Sequence, residues 1–472
     1  MRNLLSAMGI LLILFALYDR GVTAETGAKS KLNLNRCITL ALENNHQKKA
    51  SQKRVEAAEA QYGQAMSSFW PQVSLMANLG ALDHAPLFVN PAQTFQLTLP
   101  GALTGGDPVK AYIDVPQQKI KVMDAMNLST SLNVIFPVFT GGKRPALVRQ
   151  AEELVKMKRQ EAHKTELEII YDVKTRYYAL ILFRKLYQIA EVAEQRMEAT
   201  LEITENLYKN GSGSVKKTDY LQNKLVVESM RSMLDALAAK KQLIKAALLN
   251  TMAVADTEHI DIADTTLPYA EESPDFNIFL DKSYRFNPDW ARINRALSIY
   301  QAKIKEAKSG YFPMLAFTGQ FKHIENSYDG GMVSKKDRNF LYLGIAVQWP
   351  IFSGLRTKNK VREAQARFSE LQEKKQLLKD GLALQLKQAC LALKQSQQQN
   401  KHLKQAAKTS AENVDLNLRA YRNDLVKLQD VIQAQLMDSF TQAQYQKNLY
   451  DHLQAQAKLE LIVGKAMKDL LK

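Results

Sequence analysis

The chain has 472 residues, with 64 Lys and Arg against 48 Asp and Glu, a net charge of +16, and two cysteines. Two cysteines exclude a disulfide framework. The basic residues are spread among Glu and Gln rather than gathered in one run, so they point to solvated helix surfaces and away from nucleic acid. No HExxH, CxxC, GxSxG or Gly-rich phosphate loop occurs, and neither an enzyme, a metal site nor a cofactor is expected.

Residues 1–24 have the layout of a secretory signal: Arg2, an apolar run from Met8 to Leu17, and Val22-Thr23-Ala24 as a small-residue cleavage site. The run is well short of the roughly 20 residues that span a bilayer, and no cysteine follows it to carry a lipid. No later segment reaches that length either. Entry into a membrane would therefore be by strands, since only helices and closed barrels satisfy backbone polar groups in lipid. Cys37 and Cys390 lie in apolar helical contexts and are expected to be small buried hydrophobes.

Asn133–Gly142 reads NVIFPVFTGG and returns at Ala346–Leu355 as AVQWPIFSGL. Aligning Pro137 on Pro350 brings Phe139 onto Phe352, Gly141 onto Gly354 and Arg149 onto Arg362. Upstream, AMSSFWPQVSL (Ala65–Leu75) mirrors AKSGYFPMLAF (Ala307–Phe317), with Pro71 on Pro313. The chain is thus an internal duplication, with a first repeat over 25–252, a linker over 253–276, a second repeat over 277–466 and a short tail, 467–472. Each copy reads helix, Pro, strand, loop, strand, Pro-x-Phe-x-Gly, long helix, long helix.

The first copy has strand character at Gln72–Leu82 and Met126–Val138, the second at Met314–Ile324 and Phe340–Ile351. Leu132, Val134 and Phe136 alternate with Asn133 and Ile135, and such alternation over roughly ten residues fits a strand crossing an outer membrane. Pro71, Pro137, Pro313 and Pro350 sit near strand ends, where a missing donor is tolerable. The joining loops differ: Gly80–Asp124 is long and rich in Pro, Gly and Asn, enough to fold over or into a barrel mouth, whereas Glu325–Asn339 is shorter and holds Asp329-Gly330-Gly331. Four strands cannot close a membrane barrel, whose smallest members have about eight, and open edges in lipid are forbidden. Copies of the chain must pool their strands: two copies give eight and three give twelve.

After Gly142, Pro145–Asn210 has no internal Gly or Pro, with Ile170, Val173, Tyr177, Leu180, Phe183 and Tyr187 at helical spacing. At 1.5 Å per residue such a helix is on the order of 100 Å long. Asn210-Gly211-Ser212-Gly213-Ser214 breaks it, and Val215 to about Met252 returns as the second arm of a hairpin. The second copy repeats this with Arg356–Arg422, a turn at Asn423-Asp424, and Leu425–Val463; Gly381 interrupts the pattern in its long arm. Taken without the strands, the hairpins would read as an exported coiled-coil scaffold or adhesin.

The doubled x-Pro-x-Phe-x-Gly, with Gly-Gly in the first copy and Gly-Leu in the second, followed by a basic residue and a long helix resembles the TolC-like outer-membrane efflux family. Leu34–Leu75 looks like that family's opening helix and first strand, and RAYRNDLVKLQDVIQAQ (Arg419–Gln435) is similar to its second hairpin tip. The resemblance implies a mainly α fold with a small β part. It implies a homotrimer whose 12-stranded membrane β-barrel continues into a long periplasmic α-helical barrel. It also implies a passive exit duct, for efflux or type I secretion, that sits in the outer-membrane lipid of a Gram-negative cell. The partners implied are a periplasmic membrane-fusion adaptor and an inner-membrane pump of RND or ABC type. Asp430 matches the acidic position ringing the closed entrance, while Gln433 stands where a second acid is usual. Asp219 and Tyr421 match tip positions that hold the entrance closed. The adaptor-docking tips are Asn210, Gly211, Ser212, Gly213, Ser214 and Val215, and Asn423, Asp424, Leu425 and Val426. The barrel-to-helix junctions are Pro71, Pro137, Gly141, Gly142, Pro313, Pro350 and Gly354. The first copy carries two extra residues between Tyr208 and Asp219 relative to Tyr421 and Asp430, so adaptor fit there is expected to differ. Asp430 also reads as an acid near a helix N-terminus, satisfying the macrodipole.

Overall fold

The computed structural model describes residues 30–122, 125–211, 215–255, 260–271, 275–325, 338–423 and 425–467. The signal-like segment, Ser212, Gly213, Ser214, Asp424, the Asp329-Gly330-Gly331 turn and tail residues 468–472 lie outside them. In chain order the elements are β1 (Ser30–Leu32), α1 (Leu34–Asn44), α2 (His46–Ser67), β2 (Gln72–Ala81), β3 (Leu87–Asn90), β4 (Gln93–Leu99) and a helical turn α3 (Gly101–Thr104). Then come β5 (Val109–Val115), β6 (Gln118–Lys121), β7 (Met126–Phe139), α4 (Lys143–Lys209), α5 (Lys217–Met252) and β8 (Ile260–Ile262). The second copy supplies α6 (Phe276–Phe286), α7 (Pro288–Ser309), β9 (Met314–Glu325), β10 (Asn339–Gln348), α8 (Arg356–Arg422) and α9 (Leu428–Val463).

The duplication is carried through in element lengths: α1 and α6 have 11 residues, α2 and α7 have 22, α4 and α8 have 67, and α5 and α9 have 36. The opening helix of each copy is broken, which the sequence reading missed. Asn45 and Asn287 stop the first piece and cap the next, accepting from the amides of Gln47 (2.8 Å) and Trp290 (3.0 Å). Their amide groups donate to the carbonyls of Thr251 (2.8 Å) and Ile462 (2.7 Å), fastening each break to the end of its own copy's returning helix. The signal was present as Asn287-Pro288, an N-cap followed by the residue favoured at the first helical position.

Packing divides the chain into two compact units, each drawing on both copies: Met1–Gln52, Glu161–Trp290 and Lys379–Lys472, and Lys53–Gln160 with Ala291–Leu378. In the first unit, Val173, Tyr177 and Leu180 of the expected apolar stripe are buried, joined by Cys37, Leu249 and Met252. β1 pairs in parallel with β8 beside this core. The Tyr177 hydroxyl donates to Asp264 (2.7 Å), and burial pushes its pKa up. Burial, then the Asp264 charge, raises the Cys37 thiol to about 11, leaving it an inert hydrophobe. Cys390 is only half-buried. Gly381 does not break α8: the helix is continuous through it, and a Cβ there would meet nothing within 4 Å.

The second unit holds a four-stranded antiparallel sheet in the order β10-β9-β7-β2. Gln72 faces Ile135 in β2–β7 and Met314 faces Gln348 in β9–β10, so the repeat alignment carries one hairpin onto the other without a register change. The middle seam, β7–β9, joins the copies, with Asn133 facing Gln320. Strand ends are corrected by a few residues: β10 stops at Gln348, leaving Trp349-Pro350-Ile351 outside, and β7 runs through Pro137 to Phe139 with a bulge between them. A bulge tolerates proline because the donor it lacks is not needed there. The loop at 80–124 is the larger correction. It is mostly strand: β3 pairs with β6 and β4 with β5, prolonging the β2–β7 hairpin as a ribbon.

Candidate functional site

Three regions hold the residues singled out in the sequence: the sheet, the junctions at its helix ends, and the hairpin tips. In the sheet, alternation sorts side chains onto two unlike faces. Val73–Val134, Leu75–Leu132 and Leu79–Leu128 form cross-strand pairs on one face, continued by Phe136–Phe317 and Leu132–Phe321 across the seam. Ser74–Asn133, Met76–Ser131 and Asn78–Ser129 share the other face, where Gln320 donates to Asn133 (2.8 Å). The apolar face includes a groove of about 600 Å³ between Leu132, Val134, Phe317, Phe321, Leu341 and Leu343. The sheet thus presents one apolar and one hydrogen-bonding face.

At the junctions, Pro71 and Pro313 each stand between a helix end and the strand that follows. Gly141 (φ +62°), Gly142 (φ +86°) and Gly354 (φ +60°) adopt left-handed backbone, and Leu355, opposite Gly142 in the repeat, does so at φ +62°. A Cβ on Gly141 would stand 2.7 Å from both Phe312 Cβ and the Ser309 carbonyl, whereas one on Gly354 would meet nothing within 4 Å. Sequence reasoning passed over Arg144, the second of the two basic residues after the Gly-Gly. It is buried, donates to the carbonyls of Ser68 (3.2 Å) and Val138 (2.8 Å), and lies over the Phe69 ring (4.7 Å). One side chain thus holds together the end of α2, the end of β7 and the start of α4. In the second copy Thr357 and Gly310 take the places of Arg144 and Ser68, and they pack directly. Glu153, fully buried, is a second missed residue: Arg149 (2.9 Å), Lys156 (3.0 Å) and, from α7, Arg295 (3.3 Å) surround it.

At the tips the two carboxylates have the same local role. Asp219 accepts from the Lys216 amide (2.9 Å) and Asp430 from the Lys427 amide (3.1 Å), each at the third position of its helix. Both therefore satisfy an orphan N–H and the positive helix end. Asp430 and Gln433 are exposed, Asp219 half-buried. Gly211 (φ +68°) ends the α4 arm, and Asn423 closes the α8 arm through its amide to Ala420 (3.1 Å). Val215 and Val426 are half-buried, Leu425 exposed. Tyr421 is half-buried and its hydroxyl has no hydrogen-bond partner among the described residues. Its first-copy counterpart, Tyr208, stacks on Tyr220 at 6.0 Å. Farther along the hairpins Arg196 pairs with Asp438 (3.1 Å), tying α4 to α9, and Arg231 reaches Glu194, Glu198 and Glu228 at 3.2, 2.7 and 3.0 Å. No described helix is long and apolar enough to cross a membrane.

The family model for outer membrane efflux proteins matches residues 109–253 and 283–465, well over half of the chain. No match was found among curated proteins. Among solved structures, the chain is similar to the outer membrane protein VceC of Vibrio cholerae: 16% identity, TM-score 0.71, over 92% of this chain and 96% of that one. It is similar to the CmeC outer membrane channel of Campylobacter jejuni: 17% identity, TM-score 0.72, over 94% and 90%. The open-state MtrE outer membrane channel of Neisseria gonorrhoeae gives 16% identity and a TM-score of 0.71, over 95% of each chain. At these identities the likeness establishes the fold alone.

Proposed function

The chain belongs to the outer membrane efflux protein family, and from that premise we propose that it is the exit duct of a tripartite efflux or type I secretion assembly. It performs no chemistry and works as a homotrimer in the outer membrane, with a long periplasmic extension. Residues 1–24 direct export, and the two repeats, 25–252 and 277–466, supply equivalent sixths of the ring. A periplasmic adaptor opens the tips, and an inner-membrane pump of RND or ABC type drives the cargo.

The observation that carries this reading is the half-filled repeat. β7–β9 is paired within the chain, while β10 and β2 are open edges of a sheet whose outer face is apolar. Open edges are not tolerated in lipid. Applying the repeat alignment to the filled seam puts β10 of one copy beside β2 of the next, with Ala346 opposite Asn78. Three chains then close a twelve-stranded barrel. The helices show the same asymmetry: Ile432 on α9 is 4% exposed, but its first-copy counterpart on α5, Leu221, is 51% exposed. Gly354, with empty space where Gly141 is packed, belongs to the same unfilled set.

Mass of the detergent-extracted protein, with the detergent subtracted, tests the reading directly. A trimer recovered from the outer-membrane fraction is expected; a monomer or dimer in the soluble fraction would replace the duct with an exported coiled-coil scaffold. For the gate, Asp430 repeats by symmetry around the entrance and concentrates negative field there. Asp430→Ala is expected to lower cation selectivity in planar bilayers, and an unchanged current would remove Asp430 from the gate.

A further inference from the structure

The two copies build one seam differently, that between the helix entering the strands and the helix leaving them. On α2 and α4 the first copy places Ala58, Arg144, Leu147 and Leu154; Ala58 and Arg144 are buried and the leucines half-buried. The repeat alignment carries these four onto Tyr300, Thr357, Lys360 and Arg367 of α7 and α8. There the seam holds a groove of about 520 Å³, lined from within a single packing unit. Two leucines have become two cations, and space stands beside them.

The lining is strongly unbalanced in charge. Lys143, Lys303, Arg356, Lys360 and Arg367 face it, against Glu306 and Glu363. Glu306 accepts from the Gln150 amide group of α4 (2.7 Å), Arg367 pairs with Glu370 (3.1 Å), and Lys303 lies over the Tyr300 ring (4.6 Å). Lys143, Arg356 and Lys360 make no ion pair among the described residues. A concave site with surplus charge of one sign focuses the field and gathers the opposite ion.

The pleat gives the side on which the groove lies. Met314 and Gln348, directly opposite each other in β9–β10, both line it. Counting by twos along β9 from Met314 reaches Gln320, which shares the hydrogen-bonding face with Asn133. The groove therefore continues the hydrogen-bonding face at the sheet's helix end, and in the proposed ring that face lines the passage.

We propose that the α7–α8 groove binds small anions carrying carboxylate or phosphate groups, and that three such grooves make anionic solutes the favoured cargo of the duct. This rests on the ring reading, which turns one groove per chain into three about the axis. Ammonium and guanidinium groups recognise oxyanions through charge-assisted hydrogen bonds, and rings of Lys or Arg select anions in pores. The sign is opposite to that of Asp430 at the tips.

Citrate, titrated calorimetrically into the detergent-extracted full chain, tests the site. One citrate per chain is expected, displaced by pyrophosphate. The double variant Lys360→Leu/Arg367→Leu carries the side chains that the first copy holds at these positions, a seam the chain already builds. It is expected to bind citrate at least ten-fold more weakly with trimer mass unchanged. Lys360→Gln alone, which folds without a new apolar surface, is expected to weaken binding several-fold, and Lys408→Gln, exposed farther along α8, to leave it as it was. Equal affinity in the natural protein and both groove variants overturns the site. In planar bilayers under a potassium chloride gradient, the reversal potential of the double variant should move toward cation preference. An unmoved potential in a variant that no longer binds citrate overturns the anionic cargo while the duct stands. If the extracted protein is neither trimeric nor conducting, the duct reading falls and the cargo inference falls with it, whatever citrate does.

Discussion

Gly141 and Gly354 are the same letter in the repeat and carry different loads. Gly141→Ala would set a Cβ against Phe312 and the Ser309 carbonyl in left-handed backbone. A loss of roughly 2–4 kcal/mol is expected, read as a lower midpoint in denaturant. His452 makes a second prediction at this scale. It is fully buried, its Nε2–H donates to the Ala270 carbonyl (3.0 Å), Nδ1 lies 3.1 Å from the Ser396 hydroxyl, and Tyr269 tilts over the ring. Burial holds its pKa below the ordinary 6.5, against the opposing pull of the Ala270 carbonyl. The unfolded chain therefore takes up the proton first as pH falls. Its contribution is complete above about pH 6.5 and is lost as pH drops toward the lowered folded value. Thermal unfolding at pH 7.5 and 5.5 should show a larger acid loss for the natural protein than for His452→Gln; equal losses would place the acid sensitivity elsewhere.

At the scale of elements, the helix starts at the tips combine two functions that one substitution would confound. Asp430→Asn keeps an acceptor for the Lys427 amide and removes the charge, whereas Asp430→Ala removes both. The alanine variant is expected to lose about 0.5–1 kcal/mol of helix stability and the asparagine variant less. If the pore field is what matters, both should change selectivity alike, and a change confined to alanine would assign Asp430 to capping only. The breaks at Asn45 and Asn287 are the other place where an element depends on one side chain. Asn45→Ala removes an N-cap and leaves the Thr251 carbonyl without its partner, a cost of about 2 kcal/mol. Hydrogen exchange at the α1–α2 boundary and the end of α5 should speed up together, because the asparagine joins them.

For the whole molecule, the internal duplication supplies a template for its own assembly. Every seam seen between the copies predicts one between subunits. Gly354→Ala should cost the separated chain only about 1–2 kcal/mol of backbone strain. In the proposed ring Gly354 would fall beside the neighbour's counterpart of Ser309 and Phe312, namely Ser67 and Trp70. The expected result is a fall in trimer yield, resolved by light scattering, larger than its effect on monomer folding. A trimer assembling as well as the unsubstituted protein would show that the repeat does not carry across the subunit boundary.

Repetition and periodicity are properties of sequence, and they were enough for the duplication, the four barrel-type strands, the paired hairpins and the family resemblance. They marked the recurring prolines and glycines, because turns need particular residues at particular places; the tip carboxylates were singled out only through the resemblance. What depends on neighbours far along the chain was not legible. The ribbon looked like a loop because Pro86, Pro91, Pro100 and the glycines between its short strands break the alternation, and only pairing shows that β3 meets β6 and β4 meets β5. Arg144 read as one basic residue among many until Ser68 and Val138 were brought to it from 76 and 6 residues away. The difference between Gly141 and Gly354 lies wholly in what packs beside them. Local pattern decides which element forms; which of two identical positions is filled is decided by the surfaces that folding, and then assembly, bring together.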